Sequence, residues 1–159
     1  MAKFTFLNLS AHFNASCANE PLRPGGAAPW HPDIVEALAT LPAGQQIFWG
    51  IPFALGAEGE SGKRWLVLDR EPCMVEVAAR ARYVVVAHFC NISSPADPNA
   101  PTNVLIKATL RPGEHLADYV LAYADGSEHR QPIRRRFEVN EAVTGWGQLA
   151  FAARPHQED

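Results

Sequence analysis

The 159-residue sequence predicts an all-β protein: an antiparallel β-sandwich or jelly roll of about eight or nine strands, with one short helix near residues 33–40. Three observations carry that expectation. Short apolar or alternating runs recur along the chain with turn residues between them. Asp125-Gly126 stands between two strand-like runs, the strongest short-range hairpin signal. Strands do not alternate with long helical patterns, so no parallel βαβ sheet is expected.

Taken in order, Lys3–Leu9 alternates Phe4 and Phe6 against Thr5 and Leu7 and reads as a first strand. Ser10 to Pro32 is a loop of roughly 20 residues without periodicity, and loops that long inside a domain usually serve a function. Pro32, Asp33 and Glu36 then suit the start of a helix of one to two turns, stopped by Pro42 and Gly44. Gln46–Trp49 is a strand; Pro52 marks an edge or bend, and Phe53–Leu55 continues. Gly56–Gly62 is a turn, and Arg64–Leu68 and Cys73–Val77 are strands. Tyr83–Phe89, YVVVAHF, is the most apolar run and the best candidate for a central strand buried on both faces. Ser93–Pro101 is a loop, Asn103–Leu110 a strand, Arg111–Glu114 a turn, and Gly145–Phe151 the last strand. One domain is expected over 1–153, with a polar tail at 154–159.

The hairpin between Leu116 and Val139 admits two loop lengths. A two-residue Asp125-Gly126 loop would set Tyr119, Leu121 and Tyr123 beside Glu128, Arg130 and Arg134. A three-residue loop, a type I turn closed by Gly126 in the left-handed region, pairs odd positions with odd. Tyr119, Leu121, Tyr123, His129, Ile133, Phe137 and Val139 then share one face, opposite Val120, Ala122, Glu128, Arg130, Arg134, Arg136 and Glu138. The second arrangement separates apolar from charged residues better, and a buried face sets the register. It turns Arg135 toward the core and Arg134 and Arg136 toward water. Pro132 counts against it if its strand bulges there, because a bulge flips the parity.

Composition limits the functional classes. Apolar residues make up 47% and charged residues 19%, as in an ordinary globular protein. A net charge of −3 favours neither nucleic acid nor an anionic membrane. No apolar run approaches the roughly 20 residues of a membrane span. The N-terminus lacks the basic and apolar regions of a signal peptide, so a cytoplasmic location follows if Met1 is the native start. Three cysteines, Cys17, Cys73 and Cys90, do not make a disulfide framework, although one bridge and one free thiol fit the count.

Few residues suggest chemistry. His88 and Cys90 fall on one side of a strand, as metal ligands in a cupin jelly roll would, but no fitting Glu follows. A hydrogen-bonded His and a packed Cys explain the pair more simply. No Gly-x-Ser-x-Gly, Cys-x-x-Cys or phosphate-binding glycine loop occurs. Four tryptophans are the more suggestive feature: Trp30 in the long loop beside His31, Trp49 before Gly50, Trp65 in a strand, and Trp146 between two glycines. An exposed indole stacks on the apolar face of a sugar ring, and nearby Asn, His and Arg serve its hydroxyls. Each tryptophan taken singly still fits a core more readily than a ligand platform.

Several segments in order carry a resemblance: Phe6–Asn14 (FLNLSAHFN), Gly50–Phe53 (GIPF), Gly62–Leu68 (GKRWLVL), Arg82–Cys90 (RYVVVAHFC) and Tyr119–Ile133 (YVLAYADGSEHRQPI). Together they resemble the galactose-binding-domain-like β-sandwich modules that occur as accessory parts of bacterial carbohydrate-active proteins. The resemblance implies a jelly roll, no catalysis, and glycan binding by loops at one end or on the concave face. Some such modules hold a structural calcium; here only Asp97 and Asn99 hint at a ligand loop, so no cofactor is expected. The resemblance transfers no ligand residues. From the residues themselves, the ligand-binding candidates are Asn14, Trp30, His31, Trp49, His88 and Asn91, with inward Arg135 meeting an acidic sugar. The alternative is a structural domain that packs its aromatics on a neighbouring domain or subunit. A cupin-like metal enzyme on His88 and Cys90 comes third.

Overall fold

The computed structural model describes residues 4–16, 38–56, 63–68, 71–91, 112–142 and 149–155. The chain groups into two compact units, Met1–Ala87 with His156–Asp159, and His88–Pro155. The protein is β-rich. The strands among the described residues are β1 (Gln45–Phe48), β2 (Ile51–Ala54), β3 (His115–Ala122) and β4 (Glu128–Arg134). They form two separate two-stranded antiparallel sheets, β1-β2 and β3-β4. Helical structure among the described residues is a 3-10 turn, Ser10–His12, and the three residues 38–40, where Leu38 is fully buried. Residues 33–37 of the expected helix, the Asn103–Leu110 strand, and most of the 10–32 loop lie outside the described residues.

In the first unit, β1 and β2 pair from Gln45↔Ala54 to Phe48↔Ile51, leaving Trp49-Gly50 as a two-residue turn. Both turn residues have positive φ, 56° and 76°, as a type I′ turn requires. Pro52 sits in β2 without disturbing the register, because a strand in a two-stranded ribbon has a free edge. Phe48 and Phe53 pack with ring centroids 5.3 Å apart. The open end of the hairpin is closed by Leu55 N–H on Gly44 O (2.8 Å) and Gly44 N–H on Gly56 O (2.9 Å). Gly56 is buried so tightly that a Cβ would collide with the Arg64 backbone.

The expected strands elsewhere in this unit do not form ladders. Residues 4–9 are non-strand and mostly exposed, Arg64–Leu68 is reduced to a bridge between Ala15 and Trp65, and Cys73–Val77 has no strand pairing. The largest departure is Tyr83–Phe89. Expected at the centre of a sheet, it carries no strand ladder, and Tyr83 is 70% exposed, with Val84, Val85 and Val86 each near half. An apolar run is buried on both faces only where two flanking strands and two packed layers surround it.

In the second unit the hairpin has the three-residue loop. Ala122 pairs with Glu128, Tyr123 N–H donates to Ser127 O (2.9 Å), and Gly126 N–H donates back to Tyr123 O (2.9 Å). Gly126 holds φ 82°, where a side chain would be strained. Asp125 Oδ1 accepts from the Ser127 N–H (2.9 Å) and hydroxyl (2.6 Å), which pull its carboxyl below the usual carboxylate range. Odd residues face odd, as in Tyr119↔Gln131 and Leu121↔His129. The bulge arises opposite β4, where Leu116 is the extra residue between His115 and Ala117. Pro132 pairs with Asp118 in register. The parity of β4 therefore survives to Arg135, which is 4% exposed between buried Ile133 and Val139.

The arm ends sooner than the alternating pattern suggests. β4 stops at Arg134 and residues 136–138 turn, with Arg136 at φ 62° and its N–H on Val139 O (2.8 Å). Arg136 is half-buried over the Phe151 ring (5.2 Å) rather than facing water. Arg134 forks onto Glu138 (2.6 and 3.1 Å) and lies over Phe137 (4.6 Å), which meets Phe151 edge-on at 5.2 Å. Of the expected last strand, residues 149–151 are not strand; Phe151 and Ala152 N–H groups instead bond the carbonyls of Arg136 and Phe137.

Candidate functional site

Among the described sequence-predicted positions, Trp49 and Asn14 belong to the first unit, and His88, Asn91 and Arg135 to the second. Trp30 and His31 lie outside the described residues.

Trp49 stands at the tip of the β1-β2 hairpin, 46% exposed. The first position of a type I′ turn favours Asn, Asp or Gly, because other residues meet their own carbonyl at positive φ. A bulky aromatic there costs on the order of 1–2 kcal/mol. The position therefore presents an indole at some conformational expense.

Asn14 is a pin between segments. Its Nδ2–H donates to Val67 O (3.0 Å) and its Oδ1 accepts from Val67 N–H (2.8 Å). The side-chain amide thus imitates one rung of a β-ladder, continuing the main-chain bonds that tie Asn14 and Ala15 to Trp65. Both polar ends of the amide are occupied within the chain.

The second unit is organised around Arg135. Its Nε donates to Glu114 (2.9 Å), and its Nη1 to Glu141 (2.5 Å), Asn91 O (3.2 Å) and Cys90 Sγ (3.4 Å). The Arg135 and Glu141 side chains are 4% and 1% exposed. One guanidinium thus faces two carboxylates, and for both Glu141 and Cys90 burial outweighs its pull. Burial pushes the Glu141 carboxyl up, with Arg135 only partly opposing it. Burial also pushes the Cys90 thiol up to about 12, against the pull of Arg135. Cys90 is consequently a neutral thiol, fixed by a main-chain bond to Asn140 O (2.8 Å), and not a nucleophile.

His88 adjoins this cluster in sequence and is fully engaged. Nε2 lies 2.8 Å from the Glu138 carbonyl and Nδ1 lies 2.9 Å from the Tyr119 hydroxyl. A carbonyl can only accept, so Nε2 carries the proton and Nδ1 accepts from Tyr119. Burial holds His88 below its ordinary range, which keeps it neutral, and the same burial raises Tyr119. The Nδ1 lone pair that a metal would need is already used. No group of three or more His, Cys, Asp or Glu suited to a metal exists among the described residues.

Sequence reasoning placed Arg135 inward but did not identify Glu114, Glu141 or the Tyr119 hydroxyl as partners. An inward arginine requires an acid, so a signal existed. Choosing among 17 acidic residues needed the bulge at Leu116 and the turn at 136–138, neither visible as a pattern. No helix among the described residues is long and apolar enough to cross a membrane. No protein-family model, curated protein or solved structure matches the chain.

Proposed function

We propose that the chain is a non-catalytic glycan-binding or accessory module, a single galactose-binding-domain-like β-sandwich over 1–153, with Trp49 as its aromatic contact. The observation that supports this most is the half-exposed indole held at φ 56° on a hairpin tip. The backbone of a type I′ turn favours Asn, Asp or Gly at this position, and strain retained at an exposed position is a reason to look for function. An indole face is apolar and electron-rich, the surface that stacks on the C–H face of a sugar ring. Trp30 and His31 complete the proposed contact set. Asn14 holds together the first unit, and His88, Asn91 and Arg135 the second, since polar groups of each are engaged within the chain. The engaged His88 and the neutral Cys90 favour binding over catalysis. No cofactor belongs to the proposal.

The test is glycan-array binding followed by titration of the best oligosaccharide against Trp49→Asn. Asn is the residue the turn prefers, so the fold is retained while the platform is removed. Loss of binding with a melting temperature no lower than that of the native chain supports the reading; binding equal to the native chain refutes it.

A second reading is a docking domain that packs on a neighbouring domain or subunit. The exposed apolar run Tyr83–Val86 favours it, because monomeric proteins seldom leave four consecutive large apolar residues in water. Slow hydrogen exchange over 83–86 appearing only with an adjoining domain present, and no glycan bound, would decide for it.

A further inference from the structure

Cys73 and His12, which neither fold nor proposed function uses, meet in the first unit. The Cys73 thiol is exposed and its sulfur lies 3.8 Å from His12 Nδ1. The residues are 61 apart in sequence, so the pairing is tertiary. His12 is the last residue of the Ser10–His12 turn, whose main chain is held by His12 N–H on Leu9 O (2.8 Å). An accessible thiol beside an imidazole is a nucleophile beside a proton acceptor. Cys90 provides the internal contrast: it is half-buried, bonded by Arg135 and held as a neutral thiol.

We infer that Cys73 and His12 form a reactive thiol site that takes up a low-molecular-weight disulfide of the glutathione type. In the tautomer protonated at Nε2, His12 Nδ1 accepts the thiol proton. The Cys73 thiolate attacks one sulfur of the disulfide, a new S–S bond forms, and the original S–S bond breaks. The departing thiolate takes the proton back from the His12 imidazolium. The balance is one protein thiol and one small disulfide giving one mixed disulfide and one small thiol. The Cys73 sulfur is oxidised and half of the disulfide is reduced. His12 is the general base of the exchange and is regenerated when the proton returns.

The experiment incubates the native 159-residue chain with oxidised glutathione and follows each cysteine by peptide mass mapping. Cys73 is expected to gain one glutathionyl group first, with Cys90 unmodified until denaturant is added. His12→Asn is expected to slow uptake at Cys73 on the order of tenfold. That is less than the 10²- to 10⁴-fold of an aligned general base, because the sulfur–nitrogen contact is long. In denaturant the native and His12→Asn chains must react at equal rates, which separates a positioned base from altered folding. Should His12→Asn lose its native circular dichroism, His12→Gln takes its place. Equal native-state rates with and without His12 overturn the inference. So does preferential modification of Cys17 or Cys90, or formation of a Cys17–Cys73 bridge in place of the mixed disulfide.

Discussion

Arg135→Met is the substitution whose cost the structure defines best. It removes the buried cation of the second unit and keeps much of its apolar stem volume. Four contacts go: Glu114, Glu141, the Asn91 carbonyl and the Cys90 sulfur. The lost bonds matter less than what remains, because Glu141 stays enclosed with a side chain 1% exposed. Breaking a buried pair by removing one partner costs about 3–5 kcal/mol, a large share of the stability of a domain this size. Glu141 can escape part of that penalty by taking up a proton, which burial already favours in the native chain. A carboxyl whose folded pKa is raised contributes stability below its unfolded value and loses it as pH rises through the folded one. The variant should therefore lie closer to the native chain at pH 5 than at pH 8. Urea unfolding followed by circular dichroism measures this at both values. The double variant Arg135→Met with Glu141→Gln should recover about 2 kcal/mol, since no buried charge is left. A single-variant cost below about 1 kcal/mol, or the same cost in the Glu141→Gln background, would refute the reasoning.

Four further outcomes follow from local geometry. Trp49→Asn should be more stable than Trp49→Ala by about 1 kcal/mol in thermal unfolding, because both lose the indole and only Asn suits positive φ. Gly56→Ala should cost about 3 kcal/mol in denaturant titration, since its methyl group would occupy the Arg64 backbone. Tyr119→Phe should cost about 1 kcal/mol by leaving His88 Nδ1 without its donor. For His88 the folded pKa is depressed, so its contribution is complete above 6.5 and is lost as pH falls through the folded value. Histidine NMR titration should find that ring neutral at pH 7.

What could be read from the sequence alone was local. The Asp125-Gly126 loop is one case: three residues, glycine in the left-handed region, and odd facing odd, because turn chemistry and one apolar face suffice to set a hairpin register. The inward side of Arg135 followed from the same parity. The β-rich character followed from composition and turn spacing, but the β1-β2 ribbon did not: Gln46–Trp49 reads as a strand that bends at Pro52 and continues, whereas the chain reverses at Trp49-Gly50. Where a prediction needed a distant partner, it failed or stayed coarse. Tyr83–Phe89 has the composition of a buried strand, yet burial belongs to the elements around a segment rather than to the segment.

Tertiary structure alone chose Glu114 and Glu141 for Arg135, and Tyr119 for His88. Those choices depend on an extra residue at Leu116 and a turn at 136–138, which bring groups 21, 6 and 31 positions apart within hydrogen-bond reach. The same distinction governs Trp49. Its place before a glycine was plain in the sequence, but its positive φ and exposure required β1 and β2 to pair without slipping. Parity along a strand is a property of the covalent chain, whereas the partner of a buried charge is set by how separate segments pack.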